Sequence, residues 1–357
     1  MTYRKRWGLA GSIGTLASIE TGLGNTNSDE EGRAMRVLVT GCAGFIGSHL
    51  SEYWVRAGHD VVGVDCFTDY YPRAMKDANL RWLREQPRFR LRELDLAEAE
   101  LTGLVDGVDL IYHQAGQPGV RASWGRTFET YLRNNVLATQ RLLEAAKGTR
   151  LKKFVYASSS SLYGDAEAFP TSERALPRPV SPYGVTKLGG EQLAYLYWRN
   201  FGVPTVALRY FTVYGPRQRP DMAFRRFIEW ALMDQHVQVY GDGEQSRDFT
   251  FVGDAVAANV AAARPDVVGV ALNIGGGSQV TVNQVLRMLA ELLEQPALRV
   301  AYTPTAQGDV RHTSADTTAA AELLGYRPKV ELRAGLAAEL EWVRSLGREP
   351  ALTPLRR

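Results

Sequence analysis

Two cysteines in 357 residues, Cys42 and Cys66, are too few for a disulfide framework. Both fall where a strand turns into a helix, so a reducing cytoplasm is the expected setting. No apolar run approaches the roughly 20 residues that a membrane-spanning helix needs, and no membrane partner is expected. Basic residues (42) barely exceed acidic ones (39), for a net charge of +3. No long basic run interleaves with aromatics either, so nucleic acid is not a favoured partner. Internal repeats and low-complexity linkers are missing, and no metal site is expected. What remains is a chain 45% hydrophobic and 23% charged, suited to one large domain or two fused ones with a real core.

Residues 1–34 stand apart. They open on Arg4-Lys5-Arg6 and continue through a weakly apolar stretch from Gly8 to Ser18 that lacks a convincing small-residue cleavage site. Met35-Arg36-Val37-Leu38-Val39-Thr40-Gly41 reads as the first β-strand, which leaves 1–34 as an extension. From there short β-branched runs alternate with helical patterns: Val37 to Thr40, a helix at Phe45 to Ala57, then Asp60 to Asp65, Phe89 to Asp95 and Leu110 to His113. Continuous apolar runs of this length fit strands buried on both faces of a parallel sheet, so an α/β, Rossmann-type doubly wound fold is predicted. Long helices are expected at Thr127 to Lys147 and Pro182 to Asn200, flanking a strand at Lys153 to Ser158; another strand follows at Thr205 to Tyr210. Past the Gly215 to Pro220 loop the elements become shorter and mixed. A strand near Val237 to Tyr240 and a helix from Thr281, opened by a capping box with Gln284, belong to this part. The expected division is a dinucleotide-binding domain over 35–205, a smaller lobe over 206–345 with 249–263 returning to the larger one, and a tail at 346–357.

The turn Gly41-Cys42-Ala43-Gly44-Phe45-Ile46-Gly47 follows a strand and opens a helix. Glycines there permit a tight turn and close approach of a pyrophosphate to a helix N-terminus. Asp65, 18 residues after Gly47 at the end of the next strand, accepts both adenosine ribose hydroxyls and repels a 2′-phosphate, which favours NAD over NADP. Asp95 and Leu96 end the third strand within reach of an adenine amino group. Gln114-Ala115-Gly116 follow the fourth, where small residues let a cofactor pass close to backbone. His113 reads as a packed strand residue without a catalytic role. Tyr183 and Lys187, four residues apart, share one helical face, where an ammonium beside a phenol lowers its pKa from about 10. Ser159, within Ser158-Ser159-Ser160-Ser161, lies 24 residues before Tyr183, and a serine from a strand end can complete a proton relay.

Taken together, the glycine turn, Asp65, the serine run and Tyr183-x-x-x-Lys187 resemble the extended short-chain dehydrogenase/reductase family, specifically its nucleotide-sugar 4-epimerases. Gly119-Val120-Arg121-Ala122-Ser123-Trp124, Phe211-Thr212-Val213-Tyr214-Gly215-Pro216-Arg217-Gln218-Arg219-Pro220-Asp221-Met222-Ala223 and Ser246-Arg247-Asp248-Phe249-Thr250 resemble the UDP-glucuronate 4-epimerases more closely still. The resemblance spans Met35 to about Leu346. It implies a hydroxyl role for Ser159, four residues before Tyr163 of Leu162-Tyr163-Gly164, and cofactor contacts at Asn134 and Phe211 beside those read above. Dehydratases and uronate decarboxylases of similar build carry acids where this chain has Ser160 and Ser161.

The mechanism implied is oxidation at the sugar C4 with Tyr183 taking the hydroxyl proton, rotation of a planar 4-keto sugar, and reduction from the other face. A uronate intermediate is a β-keto acid prone to lose carbon dioxide. Hydrogen bonds to its carboxylate from Ser160, Ser161, Thr212 and an arginine oppose that loss. Arg219 is the first choice of arginine and Arg121 the second. Arg247 and Arg311 are expected to clamp the diphosphate, with Val239 and Tyr240 against uracil. A homodimer through the two long helices is implied by the resemblance alone. Alternatives are a 4-epimerase of UDP-glucose/UDP-galactose or of a UDP-pentose, a UDP-glucuronate decarboxylase, and a non-catalytic NAD-binding regulator.

Overall fold

The computed structural model describes residues 33–347; the expected extension 1–34, but for its last two residues, and most of the expected tail lie outside them. The apolar runs become strands β1 (Arg36–Thr40), β2 (Asp60–Asp65), β3 (Phe89–Glu93), β4 (Leu110–His113), β5 (Lys153–Ser159) and β6 (Thr205–Tyr210). Chain order then gives β7 (Thr212–Tyr214), β8 (Val237–Tyr240), β9 (Ser246–Phe251), β10 (Val270–Ile274), β11 (Gln279–Thr281) and β12 (Val300–Thr303). Seven of them form one sheet in the order β3-β2-β1-β4-β5-β6-β10, parallel throughout. Helices cover both faces, which is why β1 carries Val37, Leu38 and Val39 with no exposed surface. Strand order reverses between β1 and β4, and the crevice at the carboxyl ends of such a pair is where open α/β sheets bind ligands.

The smaller lobe contains the β7-β9-β11 sheet and the β8-β12 pair. Its own core joins Phe224, Phe227 and Ile228 to Val239, Leu286 and Leu336. The expected boundary differs from what is found. The large sheet takes the whole of β6 and also β10, which joins its edge beside β6, whereas 206–345 was expected to return only through 249–263. Within that return, β9 pairs with β7 and β11 in the lobe, while the helix Val252–Ala261 packs on the helix Phe45–Arg56 of the body. The chain therefore crosses between body and lobe more often than its turn signals disclose.

Two helices matter for the site. Pro182–Phe201 starts at Ser181, whose hydroxyl accepts the Gly184 N–H at 3.1 Å, with Pro182 in the first turn, where its missing N–H costs nothing. It stops at Gly202, whose φ of +70° supplies the left-handed cap. The stretch expected as one helix from Thr127 to Lys147 is instead Phe128–Tyr131, a π-helical segment Leu132–Leu137 and Ala138–Ala146. Asn134 and Asn135 sit in the middle of that π segment, the kind of irregularity that gathers at functional sites.

Candidate active site

At the end of β1 the chain turns through Gly41 at φ +69°, and a Cβ there would fall 2.8 Å from the Ala115 amide after β4. A Cβ on Gly47 would fall 2.1 Å from the Gly41 carbonyl. Only glycine lets the helix Phe45–Arg56 begin flush against the strand end. Gly47→Ala is expected to destabilise the fold by about 2 kcal/mol and to release dinucleotide, read by the urea midpoint and the nucleotide content of purified protein; an unchanged midpoint would show that the helix can retreat freely.

One continuous cavity is lined by Gly41, Gly44, Phe45, Ile46, Gly47, Asp65, Asp95, Leu96, Gln114, Ala115, Gly116 and Asn134, and at its far end by Tyr183, Lys187 and Arg219. Residues expected at a cofactor from separate strands thus meet in one place. Asp65 accepts the Ala43 and Phe67 amides at 3.2 and 2.8 Å, one on each oxygen, and its remaining lone pairs suit two hydroxyls. Burial pushes its carboxyl up, opposed by Lys76, whose ammonium lies 3.9 Å away. Asp95 caps the Ala97 amide at 2.8 Å and pairs with Arg133 at 2.7 Å. Gln114 is held by Tyr210 and Asn259. The glycine cradle, helix start and ribose-facing carboxylate fit a dinucleotide. Phe211 lies outside this lining, buried against Leu162 and Tyr163.

The strand end of β5 decides between the serines. Ser158 lines the cavity, but its hydroxyl donates to Glu191 at 2.6 Å, and Glu191 is forked by Arg209 at 2.6 and 3.0 Å. That hydroxyl is committed behind the sheet. The Ser159 side chain acts on the Tyr183 phenol, drawing its value down against burial, and accepts the Ser161 amide at 3.2 Å. Ser160 and Ser161 follow in a tight helical turn Ser160–Leu162, and Thr212 opens β7; none of the three lines the cavity.

The electrostatics of the pair differ from the expectation. Burial pushes the Tyr183 phenol above its ordinary value, and the groups opposing that rise are Ser159 and Arg219. Lys187 is not among them. Its own value is pushed down to about 8 by burial, with Glu191 pulling the other way, and its ammonium sits 4.6 Å from the centre of the Tyr156 ring. Desolvation wins because both groups are enclosed, and the charge that relieves Tyr183 comes from the loop after β7. His113 is a packed residue as expected, hydrogen-bonded to Thr40 and Thr139 at 2.7 and 2.9 Å and pushed down to about 3 by burial.

Around the lobe, Arg121 stacks on the Tyr240 ring at 3.9 Å and pairs with Asp309 at 2.6 Å. Arg247 donates to the Ser246 and Arg311 carbonyls, and burial pushes its guanidinium value down, with Arg121 adding to that and Asp309 opposing. Arg311 forks Asp242 at 2.9 and 2.8 Å. Arg121 therefore sits with Arg247 and Asp309 rather than in the Tyr183 cavity, which Arg219 reaches alone of the two. Val239 packs inside the lobe core, 1% exposed, so it cannot lie open to a base; Tyr240 remains at the surface under Arg121. Lys76, Tyr70 and Tyr71 went unread in the sequence, and Asp221 was read only as one residue of a resembling segment. The first three line the cavity or border it from the loop and helix after β2, and only the aromatic pair Tyr70-Tyr71 just past Asp65 offered a signal.

A doubly wound parallel sheet, a glycine turn after its first strand and a Ser-Tyr-Lys grouping at the end of β5 define a dinucleotide-dependent enzyme of the short-chain dehydrogenase/reductase class. The model of the NAD dependent epimerase/dehydratase family matches residues 37–275, and the chain belongs to that family. A UDP-glucuronic acid 4-epimerase from Bacillus cereus, solved with UDP-glucuronic acid and NAD, superposes with a TM-score of 0.85 at 43% identity, over 87% of this chain and 100% of that one. The UDP-glucuronate 4-epimerase of Thermodesulfobacterium geofontis is 34% identical over 85% of this chain and 95% of its own length. YtcB of Bacillus subtilis, described as an uncharacterized UDP-glucose epimerase, is 43% identical over 87% of this chain and 99% of its own length.

Proposed function

We infer that this chain is an isomerase, a UDP-glucuronate 4-epimerase that uses NAD to interconvert UDP-glucuronate and UDP-galacturonate. The observation that carries the reading is one cavity holding the Asp65 dinucleotide cradle, Tyr183, Lys187 and Arg219 together, with Ser159 acting on the Tyr183 phenol from outside its lining. NAD, held along the turn from Gly41 to Gly47 and Asp65, would supply a reversible hydride acceptor for C4. The Tyr183 phenolate oxygen takes the proton of the sugar 4-hydroxyl and returns it, while Ser159 donates to that oxygen and steers it. The charge left on the phenolate is met by Arg219 and Ser159, while the Lys187 ammonium stands over the Tyr156 ring in the same cavity. Arg219, the one of the expected carboxylate partners that lines the cavity, holds the sugar carboxylate, and the absence of an acid at 160 and 161 leaves epimerisation as the outcome. Arg247 and Arg311 serve the diphosphate and Tyr240 the base.

Incubation with UDP-glucuronate, UDP-glucose and a UDP-pentose, followed by NMR at the sugar C4 proton, tests this. UDP-glucuronate should epimerise far faster than the others, and equal rates would remove the uronate reading. A neutral UDP-hexose is the second reading, favoured by the pairing of Arg219 with Asp221, which already answers its charge, and by the likeness to YtcB.

No helix among the described residues is long and apolar enough to cross a membrane; a cytoplasmic setting is supported by free cysteines at 42 and 66. A homodimer is supported by the exposed apolar face of two neighbouring helical stretches. Val185 and Leu196, three turns apart on Pro182–Phe201, are 49% and 45% exposed, and Leu132 and Leu137 lie beside them at 42% and 46%. Leu196→Glu should shift the protein to a monomer in light scattering at micromolar concentration; a dimer of unchanged mass would place the interface elsewhere.

A further inference from the structure

Arg219 is not free to take any ligand it meets. Its Nε and Nη2 fork the Asp221 carboxylate at 3.0 and 3.1 Å. A guanidinium has five N–H groups, so this side-on fork consumes one edge and leaves the other. Nη1 has no protein partner among the described residues. Asp221 is fixed in turn by the Tyr70 hydroxyl, which donates to its Oδ2 at 3.1 Å across 151 residues of sequence. Tyr70 reaches that far only by crossing Gly119, where a Cβ would lie 2.4 Å from its hydroxyl oxygen. Burial pushes the Asp221 carboxyl up, but Arg219 and Tyr70 outweigh it and hold the group below its ordinary value. Burial likewise opposes the Arg219 charge, and Asp221 outweighs it. The result is an ionised pair at the wall of the cavity, anchored at both ends.

We propose that Asp221 is a specificity-setting, positioning residue for the uronate reaction: its fork on Arg219 aims the remaining guanidinium edge at the sugar carboxylate and weakens the grip on it. The inference rests on the uronate reading of the preceding section. Its logic is mechanical. Epimerisation requires the oxidised sugar to turn over inside the pocket, and a carboxylate held by an unopposed guanidinium in an enclosed site would be released slowly. A second carboxylate already on Arg219 divides that attraction. The same pair keeps Arg219 from collapsing onto other acceptors when a neutral sugar is bound.

The test compares steady-state constants for UDP-glucuronate and UDP-glucose in wild type, Asp221→Asn and Asp221→Glu holoenzymes. Asn keeps the shape and removes the charge. The ratio of KM for UDP-glucuronate to KM for UDP-glucose should fall about ten-fold in Asp221→Asn, with kcat for the uronate falling as release slows. Asp221→Glu should restore the wild-type ratio to within about two-fold. An unchanged or increased ratio in Asp221→Asn overturns the proposal. So does a parallel rise of both KM values with early melting or loss of NAD, which would mark a merely structural residue. A wild type that does not turn over UDP-glucuronate removes the uronate reading and this proposal together; wild-type uronate turnover with an unmoved ratio removes this proposal alone.

Discussion

Tyr183→Phe should lower epimerisation by about 10³-fold while leaving the bound NAD content and the melting temperature as they were. In the proposed reaction the phenol oxygen takes and returns the C4 proton, whereas the Ser158 hydroxyl is committed to Glu191 and the Lys187 ammonium lies over the Tyr156 ring. The ring itself stays supported, edge-on to Tyr131 with centroids 6.3 Å apart, so the loss is chemical rather than structural. Quench-flow product analysis of the variant reads the chemical step directly. Retention of a tenth of the wild-type rate would move the proton-transfer role to Ser159 or to solvent.

Removing Arg219 should have two effects with different signatures. Arg219→Ala takes away the proposed partner of the sugar carboxylate, expected to cost about 100-fold in kcat/KM for UDP-glucuronate. It also takes away one of the two groups that oppose the burial-driven rise of the Tyr183 phenol. The Tyr183 value then climbs further, so at neutral pH less of it is ionised, and the acid limb of the rate profile moves to higher pH for any sugar. UDP-glucose turnover should therefore recover as pH is raised, whereas the uronate deficit should persist. A uronate rate that recovers fully at high pH would mean that Arg219 acts only through Tyr183.

How much of this could be read from residues alone depends on how far apart the partners lie in the chain. The glycine turn and Asp65 were legible because a single βα unit contains them, and its geometry is local. The choice between Ser158 and Ser159 was settled by resemblance; the residues give no reason for it until β5 is seen to turn Ser158 toward Glu191 and Ser159 toward Tyr183. Asp221 and Tyr70 were illegible for a different reason: their contact spans 151 residues, and nothing local marks a loop tyrosine as the anchor of an ion pair. Val239 illustrates the opposite failure, since an alternating strand offers two faces and only packing tells which is buried. Burial also reversed the expected sign at Tyr183, because a sequence names the charges near a phenol but not the water taken from it.

The π-helical segment Leu132–Leu137 gears two surfaces together. Its wide turns hold Leu132 and Leu137 outward, where a second subunit is expected, while Asn134 faces the cofactor cavity. Asn135, between them, ties the Gln117 amide at 2.6 Å to the Thr186 hydroxyl at 2.9 Å. Loss of one residue there would swing everything that follows by about 100°. An insertion or deletion in this stretch would therefore turn the outer seam away from a neighbour at the same stroke as it pulled the Asn134 amide out of the cavity.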